Sequence, residues 1–151
     1  MAIADEPRVD SVIITGMNDR TENVSADERL KLAARHIDHG ECDAARAQCE
    51  AVLAAAPEDV DAMVMLGRVA MLQYRWQDAI ALFDRALRDR VDPWTLANLG
   101  NCYWKTGDLD QAEYCLRGAV AVAPDFTAAR LGIATVLHAR GRFEEIGRAH
   151  V

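Results

Sequence analysis

Apolar residues recur at helical spacing through the middle of the chain, and the whole pattern returns about every 34 residues. Small residues stand at fixed distances from large apolar ones within each copy. The two best copies contain, in matching register, Leu66, Gly67, Ala79 and Phe83, and then Leu99, Gly100, Ala112 and Leu116. A period of this length predicts stacked pairs of antiparallel helices, and therefore an all-α fold.

Capping and helix-breaking residues predict where the helices begin and end. Ser25 and Glu28 have the form of a capping box, while Asp92-Pro93 and Asp108 are typical of helix starts. The helices are therefore predicted at about 26–39, 42–55, 60–72, 76–89, 93–105, 109–123 and 127–139. A further helix is expected to begin just after Gly141.

Glycine stands at three of the four predicted turns within helix pairs. Gly40, Gly107 and Gly141 tolerate the left-handed backbone that commonly ends a helix. Tyr74 occupies the corresponding position of the second pair. Because a left-handed backbone is costly for tyrosine, we expect this turn to be built differently from the other three.

Length, charge and hydropathy narrow the class of protein. The chain has 151 residues, a formal net charge of −7 and 51% hydrophobic residues. This length fits one domain, and the negative charge disfavours a general nucleic-acid partner. No apolar run approaches the ~20 residues of a membrane span, and the N-terminus does not resemble an export signal. We therefore expect a cytoplasmic protein of bacterial type that does not insert into membranes.

The two ends of the chain differ from its middle. Residues 1–24 show no helical period and are predicted to form a flexible leader. The last six residues, 146–151, resemble the translation of a common sequencing adaptor, so we interpret them as a non-native tail. The natural protein is then expected to continue past Glu144, and the helical domain covers about 25–145.

The repeated small and large residues between Ser25 and Glu144 resemble the tetratricopeptide repeat (TPR) family. The resemblance implies an α-solenoid that winds as a right-handed superhelix of about three and a half repeats. These would cover about 26–59, 60–92, 93–126 and a truncated 127–145. The chain departs from the family pattern at Arg29, Tyr74 and Val91, which weakens single repeats but not the assignment.

The resemblance also implies a concave groove lined by the first helix of each pair. The residues carried over to this groove are Lys31, Val64, Met65, Arg68, Met71, Trp94, Asn98, Asn101, Trp104, Lys105, Leu131, Thr135 and His138. The two asparagines can pair with the backbone of an extended peptide, and the cations can meet carboxylates. The positions that match Asn98 elsewhere hold Lys31, Met65 and Gly132, so no asparagine ladder is predicted.

Other combinations of polar residues favour structural roles. His36, His39 and Cys42 lack the paired, closely spaced ligands of a zinc site, so no metal or cofactor is expected. The four cysteines are predicted to be reduced and packed as small apolar side chains. Asp108, Asp110 and Glu113 are interpreted as helix caps and solvated surface.

These observations predict a non-catalytic interaction module that binds a peptide or a partner helix. Two alternatives stay open. The repeats could form the N-terminal arm of a larger enzyme that resembles a glycosyltransferase or a sulfotransferase, or a small secretion-type TPR chaperone. The length of the natural gene separates the enzyme from the other two classes.

Overall fold

The computed structural model describes residues 24–141, which contain seven helices. They are α1 (Ala26–Asp38), α2 (Cys42–Ala55), α3 (Val60–Leu72), α4 (Trp76–Asp89), α5 (Pro93–Thr106), α6 (Leu109–Val122) and α7 (Thr127–Ala139). The seven helices predicted between Ser25 and Ala139 are all present, and their ends agree with the prediction within one residue. The further helix expected after Gly141 lies outside the described residues. The predicted leader and adaptor-like tail lie outside the described residues.

The helices stack in two layers, as the repeat pattern predicts. Each helix contacts the next one along the chain, which makes three antiparallel pairs followed by α7. The first helices of neighbouring pairs also touch, α1 with α3, α3 with α5, and α5 with α7. The second helices, α2, α4 and α6, make no such contacts with one another in the described range. The first helices therefore form one continuous face, and the all-α solenoid fold is confirmed.

Side-chain caps fix four of the helix starts. At α1 the Glu28 amide donates to Ser25 Oγ at 3.2 Å, and the Ser25 amide donates to Glu28 Oε2 at 3.2 Å, which completes the predicted capping box. Asp59, Asp92 and Asp108 accept from backbone amides in the first turns of α3, α5 and α6. These local bonds explain why the boundaries could be predicted.

Tyr74 is the residue for which the turn prediction is wrong. Its φ is 58°, in the same left-handed region as Gly40 (73°), Gly107 (86°) and Gly141 (68°). The hydrogen bonds also match those of a glycine turn, because Arg75 donates to Ala70 O at 2.9 Å just as Asp108 donates to Tyr103 O at 2.9 Å. The second pair thus forms the standard turn and accepts the strain of a non-glycine residue there.

Glycines allow the paired helices to approach closely. A Cβ added to Gly67 would lie 2.6 Å from Phe83 Cε1, and one added to Gly100 would lie 2.8 Å from Leu116 Cγ. The absence of a side chain at these two glycines therefore lets α3 pack closely on α4, and α5 on α6. Ala134, at the same repeat position in α7, is exposed, and the helix predicted to cover it lies outside the described residues.

Three cysteines belong to the core, as expected of small apolar packers. Cys49, Cys102 and Cys115 are buried, and desolvation raises the pKa of each thiol to about 11. Cys42 is half-buried. The buried thiols are therefore protonated at neutral pH and resist ionisation well into the alkaline range.

Glu113 does not lie on a solvated surface, which corrects the prediction for this carboxylate. Its side chain is only 13% exposed, and it accepts from Arg117 Nε at 2.8 Å and from Arg140 Nη1 at 2.9 Å. Arg140 also pairs with Asp110. Glu113 thus joins the end of α7 to α6 through a contact that spans 27 residues of sequence.

Candidate functional site

A depression of about 300 Å³ lies between α1 and α3 on the face formed by the first helices. Its lining includes four residues of the predicted groove, Lys31, Val64, Met65 and Arg68. Lys31 Nζ lies 2.6 Å from Asp27 Oδ2, and that carboxylate raises the pKa of Lys31. Asp61 lines the same depression, so its wall carries two cations and two carboxylates beside apolar side chains, and the charge of its lysine is locally balanced.

A second depression of about 260 Å³ continues from the first and shares Arg68 with it. It brings together three predicted groove residues, Arg68, Met71 and Asn98. Its remaining lining comes from Ile37, Leu72 and Trp76, which the sequence analysis did not assign to the groove. Trp76 begins α4, which is the second helix of its pair. The resemblance assigns only first helices to the groove, so the repeat register does not predict Trp76 as a groove residue.

Lys105 sits beside two indole rings at the end of this face. Its Nζ lies 4.6 Å from the ring centroid of Trp104 and 6.0 Å from that of Trp76. Such geometry attracts a cation to the ring quadrupole. Within residues 24–141 neither Lys105 nor Arg68 forms an ion pair. Both cations are thus available to an anionic ligand.

The predicted groove residues nearer the C-terminus line neither depression. Trp94 is 64% exposed and packs on Phe126, with ring centroids 4.4 Å apart. Leu131 is 68% exposed, and the Thr135 hydroxyl donates a hydrogen bond to the Leu131 carbonyl oxygen at 3.0 Å. Asn101 and His138 are also exposed. The two depressions therefore gather six of the predicted groove residues, and these five lie on exposed surface outside them.

The histidines set aside as metal ligands have other partners. His36 Nδ1 is hydrogen-bonded to a carboxylate oxygen of Glu41, and this contact lowers the pKa of Glu41. His39 Nδ1 donates to the Arg35 carbonyl at 2.7 Å. In the described part of the chain, no three histidine, cysteine or acidic residues are grouped so that they could hold a metal ion. None of the described helices combines the length and apolar character needed to cross a membrane.

Comparisons with known proteins agree with this architecture. Two family models, each described as "Tetratricopeptide repeat", match residues 30–92 and 70–125. A search of curated proteins gives no significant match. Solved structures of MamA resemble this chain with a TM-score of 0.78 for one of them, at 21% identity over 85% of this chain and 71% of MamA.

Two further solved structures show the same fold. YrrB, described as a TPR protein with an unusual peptide-binding site, matches with a TM-score of 0.72 and 21% identity over 87% of this chain and 68% of YrrB. An O-GlcNAc transferase mutant from Thermobaculum terrenum matches with a TM-score of 0.72 and 26% identity. That match covers 75% of this chain but only 22% of the transferase. The chain belongs to the tetratricopeptide repeat family.

Proposed function

We propose that this chain is a non-catalytic binding module that holds a peptide, in extended form or as a helix, along the face of its first helices. The observation that carries the proposal is the pair of adjoining depressions, about 300 and 260 Å³, that share Arg68. Their walls are mainly apolar, with a few polar groups at defined places, which is the usual composition of a ligand site. YrrB, a protein of the same fold, is described as having a peptide-binding site.

A library of random linear peptides, selected on the full chain, tests this proposal. Selected peptides are synthesised and their affinities measured by titration calorimetry against the unaltered chain and the double variant Met65→Ala/Arg68→Ala. We expect at least a tenfold loss of affinity in that variant. The matched control is Tyr114→Ala, since Tyr114 is 76% exposed on the second-layer helix α6. Peptides that bind both variants equally would place the ligand elsewhere and refute the proposal.

A second candidate function is supported by the likeness to the O-GlcNAc transferase. At 26% identity over three quarters of this chain, the repeats resemble part of an enzyme. In that case the same face would present polypeptide substrates to a catalytic domain encoded after Glu144. Sequencing the genomic locus past this codon decides the matter: a catalytic domain in frame supports the second candidate, and an early stop codon eliminates it.

The cytoplasmic location expected from the sequence forms part of the first proposal. Cell fractionation with an antibody against residues 24–141 tests it. Recovery in the cytosolic fraction is the expected result, and recovery in the culture medium or a membrane fraction would contradict it.

A further inference from the structure

We propose that the depression beside Trp76 selects a bulky apolar side chain that has acidic residues on both sides of it in the bound segment. This inference rests on the proposed function, because it specifies which peptides the face would prefer.

The walls of the depression suit an apolar side chain. Ile37, Met71, Leu72 and Trp76 line most of it, and they come from three different helices or their ends. Its volume of about 260 Å³ is several times the roughly 30 Å³ occupied by one liquid water molecule, so it has room for one large side chain. Leu72 is 49% exposed, and filling the depression would remove this apolar surface from water.

The two cations near the depression favour a ligand that carries carboxylates at two different positions. Arg68 lines it, and Lys105 lies beside the Trp76 ring that forms part of its wall. These two cations belong to different helices, α3 and α5, and neither forms an ion pair with a carboxylate within residues 24–141. Acidic side chains before and after an apolar anchor could serve both, so we commit to an internal segment.

The backbone of Tyr74 independently indicates that the depression beside Trp76 is a binding site. It is the only non-glycine residue of the described range with a positive φ, yet its side chain is 78% exposed and adds little to the core. Its ring meets the Trp76 ring edge-on, with centroids 5.8 Å apart. Backbone strain concentrates at functional sites, and here it places an aromatic ring against the wall of the depression.

Four synthetic peptides test the preference. All four have ten residues and blocked ends. The reference peptide has a central Leu with two Glu on either side of it, and its remaining residues are Gly and Ser. The analogues replace Leu by Ala, replace all Glu by Lys, or move all Glu to one side of Leu. Affinities for the full chain are measured by titration calorimetry. We expect the first peptide to bind at least tenfold more tightly than the Ala and Lys analogues, and several-fold more tightly than the one-sided analogue.

Charge reversal in the protein provides the decisive arm. Arg68→Glu and Lys105→Glu should each weaken the Glu peptide at least tenfold and improve binding of the Lys peptide. Both side chains are exposed, so the variants should fold, and circular dichroism verifies this. Arg88→Glu, an equal charge change at an exposed position of α4, is the matched control and should leave both affinities unchanged.

The outcomes separate this inference from the proposed function. If library peptides bind the face but the Glu and Lys probes bind equally, or Arg68→Glu and Arg88→Glu behave alike, the preference proposed here is wrong while the binding module stands. If neither library peptides nor probes respond to substitutions in the face, the proposed function itself fails. A one-sided analogue that binds as tightly as the two-sided probe overturns the requirement for acidic residues on both sides.

Discussion

The packing of α5 on α6 at Gly100 depends on the absence of a side chain at this position. A Cβ at this position would lie 2.8 Å from Leu116 Cγ and 3.2 Å from the Ala112 carbonyl oxygen. Leu116 is 1% exposed and the carbonyl belongs to a helix, so neither neighbour can move freely. We therefore expect Gly100→Ala to force the helix pair apart.

The cost of the added Cβ is best measured as the difference in the free energy of unfolding between two glycine-to-alanine variants. Replacing glycine by alanine inside a helix normally gains about 1 kcal/mol of propensity, whereas overpacking costs about 1–3 kcal/mol. Gly118 lies inside α6, and a Cβ there would meet only Leu96, at 3.7 Å. Gly118→Ala should therefore show the propensity gain alone. The free energy of unfolding of Gly100→Ala should fall below that of Gly118→Ala by about 1–3 kcal/mol.

Urea unfolding followed by far-ultraviolet circular dichroism measures this difference. With a slope of about 2 kcal/mol per molar urea, the two midpoints should differ by roughly 0.5–1.5 M. The slopes of the variants must agree for the midpoints to be compared. Leu116→Ala supplies a further control, because Gly100→Ala should cost less once that side chain is removed. Equal midpoints for the two alanine variants would refute the packing argument.

Three other measurements follow from the turn and the buried thiols. Tyr74→Gly should raise the free energy of unfolding by up to about 1 kcal/mol in urea melts, because it relieves left-handed strain, and an unchanged or lower stability would contradict this. A thiol reagent at pH 8 should modify half-buried Cys42 first, while Cys49, Cys102 and Cys115 react only on unfolding; rapid labelling of all four would show that the core opens easily. The raised pKa values, about 11, mean that the unfolded thiols ionise above pH 9 before the folded ones, so stability should fall between pH 9 and 11. The loss should be about 1 kcal/mol per pH unit for each thiol, and the Cys102→Ala variant should show a shallower decline in pH-dependent urea melts.

The helices could be predicted because their signals are local. Ser25 with Glu28 and Asp92 with Thr95 act within one turn of helix, so their effect is visible in a few residues of sequence. The turn at Tyr74 could not be predicted in this way. The pairing of α3 with α4 imposes the same turn geometry as in the other pairs, and tertiary packing overrides the local preference of tyrosine.

The candidate site was predictable only in part, for the same reason. The repeat register identifies Arg68, Met71 and Asn98, since each lies on a first helix at a position that repeats. Trp76 begins a second helix, and its place in the wall depends on Tyr74 and on Lys105, which is 29 positions further along the chain. The burial of Glu113 could not be predicted either, because Arg140, one of its two arginine partners, lies 27 positions further along the chain.

Contacts limited to near neighbours have a consequence for how the repeats respond to a ligand. In the described part of the chain, α1 touches α2 and α3 but not α5. The two depressions nevertheless draw their walls from α1, α3 and α5. A peptide lying across both depressions would contact the first and the third repeat at the same time, and would therefore couple two repeats whose described residues do not touch each other in the free protein. Repeats that can open separately in the free protein would then open together, so a bound peptide should sharpen the unfolding transition as well as shift it.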